Sequence, residues 1–144
     1  MKQFCPMLPI AIYSRITVLF LTFVFGTFGQ SYDVSSNSSF IAWDAVYFKK
    51  LASTGTWDYE HEFAFFPGYP LLVRCVASAA STIVNVPWDS LIIVSGLAIS
   101  NISFVMAVAM IYKLSKQLQM SEKICRLTAL AYILNPSSVF MSSM

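Results

Sequence analysis

Charge is what this sequence has least of. Asp, Glu, Lys and Arg make up 11% of its 144 residues, where a soluble domain carries about a quarter, so a water-soluble globule with a charged shell is excluded. Nine basic residues against seven acidic, spread along a hydrophobic chain, make no nucleic-acid footprint. There is one histidine, His61, and the three cysteines, Cys5, Cys75 and Cys125, share no short spacing. A zinc site needs three or four ligands at workable spacing, so neither a metal nor a cofactor is expected, and the cysteines read as buried free thiols rather than a disulfide or metal set. No internal repeat or low-complexity tract is present.

What the chain has in quantity is apolar residue, 57% of the total, with a mean hydropathy of +0.66. A membrane span takes about 20 predominantly apolar residues, and runs of that quality cover 9–29, 65–86, 91–112 and 124–144. The expected fold class is all-α: a polytopic membrane protein with a lumenal loop over about 30–64. The last run is still apolar at Met144, so the expectation is the N-terminal part of something longer, with a complete four-helix membrane protein as the alternative. Lys2 and Arg15 give the first run a positive flank, but it continues unbroken past them without a small-residue cleavage signal, which reads as a signal anchor.

Basic residues mark the cytoplasmic side. Lys2 and Arg15 place the N-terminus inside and the loop after the first run in the lumen. The glycosylation acceptor pattern Asn37-Ser38-Ser39 agrees with that side. Simple alternation over four spans then puts the lysine-rich segment 113–123 in the lumen too, against the same rule. Either those lysines sit at headgroups or one of the four spans is misassigned.

Four of the seven carboxylates, Asp44, Asp58, Glu60 and Glu62, fall with His61 in one loop bracketed by aromatics. Residues 40–54 read as a short helix with Ser39 as N-cap and Gly55 as a left-handed stop. At 100° per residue, Phe40, Trp43, Tyr47, Phe48 and Leu51 share a broad arc that also contains Asp44, while Lys49 points away. A carboxylate on an apolar arc loses hydration, which favours proton uptake and suits a general base. The structural alternative is that Asp44 caps a turn or pairs with Arg74. Glu60, His61 and Glu62 read either as a solvated loop or as groups that hydrogen-bond a polyol or phosphate. Trp57 and Tyr59 fit an interfacial aromatic belt. Arg74, about one turn into the second run, either snorkels to the surface or holds a phosphate in its guanidinium fork.

Several of these stretches together resemble the GPI mannosyltransferase 2 family: Trp43-Asp44, then Gly55, then Tyr59-Glu60-His61, then Phe63-Ala64-Phe65-Phe66-Pro67-Gly68-Tyr69-Pro70, with Asn101-Ile102-Ser103-Phe104 and Asn135-Pro136-Ser137-Ser138-Val139-Phe140 further on. The similarity runs in patches from about Ile41 onward. It implies a GT-C-like helical bundle with an amphipathic helix in the first lumenal loop. It also implies a multi-pass membrane enzyme of the endoplasmic reticulum that transfers the second mannose of the GPI anchor from dolichol-phosphate mannose to the GPI lipid precursor, with membrane lipids and a small membrane subunit as further partners. The position matching the family's proposed catalytic acid is Asp44. Glu60, His61, Trp43 and Arg74 are the expected substrate contacts, and Asn37 is the glycosylation candidate. Two other classes fit the composition: a truncated inactive copy, and a non-catalytic subunit or transporter fragment with Asp44 and Arg74 lining a polar path.

Overall fold

The computed structural model describes residues 5–28 and 44–137. Among them every regular element is helical: α1 (Leu8–Phe28), α2 (Ala45–Thr54), a 3-10 turn (Glu60–Ala64), α3 (Gly68–Ser81), α4 (Trp88–Gln117) and α5 (Glu122–Ile133). The all-α expectation therefore holds for the described residues. The chain packs as two compact units, one containing most of α1 with the second half of α4 and α5, the other containing α2, the 3-10 turn, α3 and the first half of α4.

In the first unit, Cys5, Met7 and Ala11 at the start of α1 share a core with Phe104, Val108 and Tyr112 toward the end of α4 and with Cys125, Ala129 and Ile133 of α5. Further along α1, Ile12, Ile16 and Leu19 face Asn101, Ile102 and Val105 across a groove of about 400 Å³. α1 and α4 thus run antiparallel, with the opening of one beside the close of the other. Arg15, expected as a flanking charge, is instead 3% exposed. It lies four residues after Ala11, on the same helix face, and its guanidinium sits over the Phe104 ring, 3.8 Å from the centroid. α4 ends in a Schellman closure, with Gln119 left-handed at φ 56, the Met120 N–H donating to the Ser115 carbonyl and the Gln119 N–H to that of Lys116. α5 begins directly after, at Glu122, with Ser121 at its N-cap position.

Two helices, Leu8–Phe25 within α1 and all of α4, are long and apolar enough to cross a membrane. Their outer faces carry exposed large side chains: Tyr13, Phe20, Phe23 and Phe25 on α1, and Met106, Met110 and Leu114 at four-residue spacing on α4. Apolar surface on this scale marks a face covered by lipid or by further protein rather than by water. The expected span over 65–86 is occupied by α3, with 14 residues, a length of about 21 Å against a hydrocarbon thickness of about 30 Å. The run expected over 124–144 contains α5, 12 residues long, and 138–144 lie outside the described residues.

The second unit is organised on α2 and α3. Ala45 and Ala52 of α2 meet Val73 and Ala77 of α3, and Leu91 and Ile92 of α4 complete the core. The alanines let the helix backbones approach closely. The aromatic run after the 3-10 turn packs back onto α2: Phe65 stacks on Tyr47 at 4.7 Å and meets the edge of Phe48 at 5.4 Å. Phe48 also meets Tyr69 at 5.8 Å, and the Tyr69 hydroxyl donates to the Gly96 carbonyl at 3.1 Å. Pro70 is buried in the first turn of α3, where its missing N–H costs no helix bond.

Candidate functional site

The site is built on α2 and on the segment that folds back from its C-terminus. α2 stops at Gly55, which adopts φ 79, ψ 10 and donates its N–H to the Leu51 carbonyl. This is the left-handed stop that its sequence position predicts. The same helix end is held from two other elements. Arg74 Nη1 of α3 donates to the carbonyls of Ala52 and Ser53 at 3.5 and 3.4 Å, and Trp88 Nε1 of α4 donates to Ser53 at 3.4 Å. A guanidinium at the negative end of a helix is also favoured by the helix dipole.

From Gly55 the chain returns along α2, and one lysine fastens it. Lys50 Nζ bonds Asp58 Oδ2 at 2.8 Å and Glu62 Oε1 at 2.6 Å, and lies over the Tyr59 ring at 5.0 Å. The other oxygen of Glu62 accepts the N–H groups of Asp58 at 2.7 Å and Tyr59 at 3.3 Å, closing the first turn of the 3-10 segment. Glu62 is 5% exposed. The hydrogen bond from Lys50 and then the two backbone N–H groups hold its carboxyl below the ordinary carboxylate range against the opposing effect of burial. Reciprocally, the bonds to Asp58 and Glu62 raise the Lys50 ammonium above its usual value. The cavity bounded by Tyr47, Lys50, Leu51, Thr56, Trp57, Glu62 and Phe65 is about 10 Å³, room for one water and not for a sugar. The Lys50–Asp58–Glu62 cluster is therefore a clasp, not a pocket.

The expected site residues fall differently. Asp44 is exposed at the N-cap position of α2, and its side chain makes no capping hydrogen bond to the helix. The expectation puts it desolvated on an apolar arc; Asp44 itself is exposed, and Phe40 and Trp43 of that arc lie outside the described residues. Residues 40–43 of the expected helix, its N-cap Ser39, Trp43 and Asn37 lie outside the described residues, and so does the His61 side chain. Glu60 is exposed at the start of the 3-10 turn. Arg74 sits at the far end of α2 from Asp44, a helix length of about 15 Å away, so the two do not converge. Reading the sequence does not single out Lys50 or Asp58. Two acids four residues apart in a loop, with a lysine on the preceding helix, are the available signal.

Comparison with known proteins gives this arrangement a family. The Mannosyltransferase (PIG-V) family matches residues 30–144. GPI mannosyltransferase 2 of Drosophila pseudoobscura pseudoobscura is 32% identical over 102 residues, 70% of this chain and 22% of its own length. That of Gibberella zeae is 32% identical over 132 residues, 91% and 29% of the two chains, and that of Cryptococcus neoformans var. neoformans serotype D is 31% identical over 107 residues, 73% and 25%. No solved structure gives a significant match. The chain belongs to the mannosyltransferase (PIG-V) family, and it spans about a quarter of the length of these curated relatives.

Proposed function

We propose that this chain forms part of a multi-pass GPI mannosyltransferase of the endoplasmic-reticulum membrane, with α1 and α4 as crossings in a GT-C-like bundle and residues 30–87 on the lumenal face. The enzyme transfers the second mannose from dolichol-phosphate mannose to the GPI precursor. The observation that carries this reading is the family match, which takes in Asp44, the clasped loop and the Pro67-Gly68-Tyr69-Pro70 turn in one stretch.

In this reading Asp44 is the general base. The acceptor hydroxyl oxygen attacks C1 of the donor mannose and gives its proton to the Asp44 carboxylate. The bond from C1 to the phosphate oxygen breaks, and dolichyl phosphate leaves with the electron pair. A phosphate leaving group needs no proton, so one carboxylate suffices, and a positioned base contributes about 10²- to 10⁴-fold. What supports Asp44 is its place in the stretch that the family match covers, with a side chain not used as a helix cap. Glu60 and His61 orient the acceptor sugar, and Trp43 packs a sugar face or the dolichyl chain. The attacking and leaving oxygens of a displacement lie within a few ångströms of each other, whereas α2 separates Arg74 from Asp44 by about 15 Å. Arg74 is accordingly assigned to the phosphate of the GPI lipid rather than to the leaving group.

The experiment is rescue of cells that lack the native enzyme. A full-length protein carrying this segment is expected to restore surface GPI-anchored proteins, and Asp44→Asn at equal protein level is expected not to. Normal rescue by Asp44→Asn removes this residue from the mechanism.

A further inference from the structure

The turn between α4 and α5 gathers charge in a chain that has little of it. Between 113 and 126 stand Lys113, Lys116, Lys123 and Arg126 against a single carboxylate, Glu122. Glu122 is fully engaged: it accepts from Arg126 Nε at 2.7 Å, from the Tyr112 hydroxyl at 3.0 and 3.1 Å and from Lys116 Nζ at 3.3 Å. Those bonds lock the turn and neutralise one cation. Lys113 and Lys123 remain exposed, among the exposed apolar side chains Leu114, Leu118, Ile124 and Leu127. Lysines on long stems beside bare apolar surface suit the boundary where hydrocarbon meets headgroups.

The depth of this turn follows from α4. From Leu91 to Lys113 the helix rises about 33 Å, which matches a hydrocarbon core of about 30 Å, so Lys113 emerges as the lipid tails end. Its side of the membrane follows from the first unit. Cys5, Met7 and Ala11 at the opening of α1 share a core with Tyr112 and Cys125, which places the turn beside the N-terminal end of α1. α3, at 14 residues, is too short to intervene as a crossing. With α1 and α4 as the two crossings, the start of α1 and the segment 113–126 lie on one face, and the basic residues of both chain regions obey the rule that such segments stay in the cytoplasm. The conflict between the two charge cues disappears with the span at 65–86.

We propose that the α4–α5 turn is a basic collar in the cytoplasmic headgroup layer that binds anionic phospholipid headgroups, with Lys113 and Lys123 as the residues that meet them. The collar rests on the assignment of α1 and α4 as crossings and not on the sugar chemistry, so it can fail while the transferase reading stands.

Two measurements on the 144-residue chain test it. In bilayers containing spin-labelled phosphatidylserine or phosphatidylcholine, phosphatidylserine is expected in excess in the protein-contact layer. Each lysine near a charged surface contributes up to about fivefold, and the excess is expected to collapse in about 1 M salt, where the screening length is about 3 Å. Lys113→Gln with Lys123→Gln should remove most of the excess, and Lys113→Glu with Lys123→Glu should invert it, each at unchanged helix content by circular dichroism. Equal uptake of the two lipids by the unaltered chain, or an excess that survives both double variants, overturns the proposal. In sealed microsomes, a membrane-impermeant maleimide is expected to label Met120→Cys without permeabilisation and Cys75 only after it. The opposite pattern overturns the assigned side.

Discussion

Gly55→Ala tests how α2 is terminated. The position has φ 79, where an L side chain costs about 1–2 kcal/mol. An added Cβ would also stand 2.7 Å from Arg74 Nη1. That contact is with the far end of a flexible side chain, so Arg74 swings away at little steric cost but gives up its bonds to Ala52 and Ser53. At 3.5 and 3.4 Å these bonds are long, and together they add about 0.5–1 kcal/mol. The backbone term therefore dominates and the sum is about 2 kcal/mol, equivalent to an increase of about thirtyfold in opening of the last turn of α2 at about 1.4 kcal/mol per factor of ten. Hydrogen exchange of the amides of residues 51–55 in detergent reads that opening directly. Gly55→Asn should show a smaller increase, because Asn tolerates the left-handed region. In a double-mutant cycle Gly55→Ala and Arg74→Leu should be less than additive, since the first already displaces the guanidinium. Unchanged exchange in Gly55→Ala, or strict additivity, refutes this account of the helix end.

Three further outcomes are expected. Glu62 titrates below its ordinary 4.5 because Lys50 and two N–H groups bond its charged form, so the clasp is intact above pH 4.5 and released as pH falls through the lower folded value. At the other limit, Lys50 is raised above 10.5, and its contribution is complete below that pH and lost as pH rises through the higher folded value. Carboxyl ¹³C shifts of Glu62 check the acid limb, and a midpoint at or above 4.5 would contradict it. Ala52→Leu overfills the fully buried contact of α2 with α3 and should cost about 1–3 kcal/mol in thermal unfolding, whereas Ala52→Gly should not show the same overpacking. Gln119→Asn suits the left-handed backbone at that position and, with Met120 and Ser121 following, completes a glycosylation acceptor pattern. The variant should keep its helix content and, with the turn on the proposed cytoplasmic side, stay unmodified in microsomes; glycosylation there would contradict that side.

The elements legible in the sequence are those set by local chemistry. The helix ending at Gly55 is readable because a glycine follows an amphipathic stretch, and the structure puts that glycine at φ 79. α1 and α4 are readable because a run of apolar residues of that length has few alternatives. The extent of α3, 14 residues within the apolar run over 65–86, is not readable, because hydropathy averaged over that run cannot tell which of its aromatics pack against protein. In the structure Phe65 and Tyr69 pack on Tyr47 and Phe48 of α2, a tertiary contact that no window sees. The same limit hides the partner of Lys50, since which of Asp58, Glu60 and Glu62 pairs with it depends on how the chain turns after Gly55. Arg15 and Arg74 are each readable only by depth along a helix, and each is placed by a neighbour instead, Phe104 for one and the end of α2 for the other. For Asp44, the periodicity places the carboxylate on an arc with Phe40 and Trp43, which lie outside the described residues, and what the structure describes is an exposed residue at the start of α2.

The central claim is that Asp44 takes the acceptor proton. The direct measurement is transfer of labelled mannose from dolichol-phosphate mannose to the GPI precursor by microsomes containing the full-length protein, comparing the unaltered enzyme with Asp44→Asn. The expected result is a kcat lower by about 10²- to 10⁴-fold with KM for the donor unchanged. A variant that retains more than about a tenth of the original kcat would show that the proton goes elsewhere.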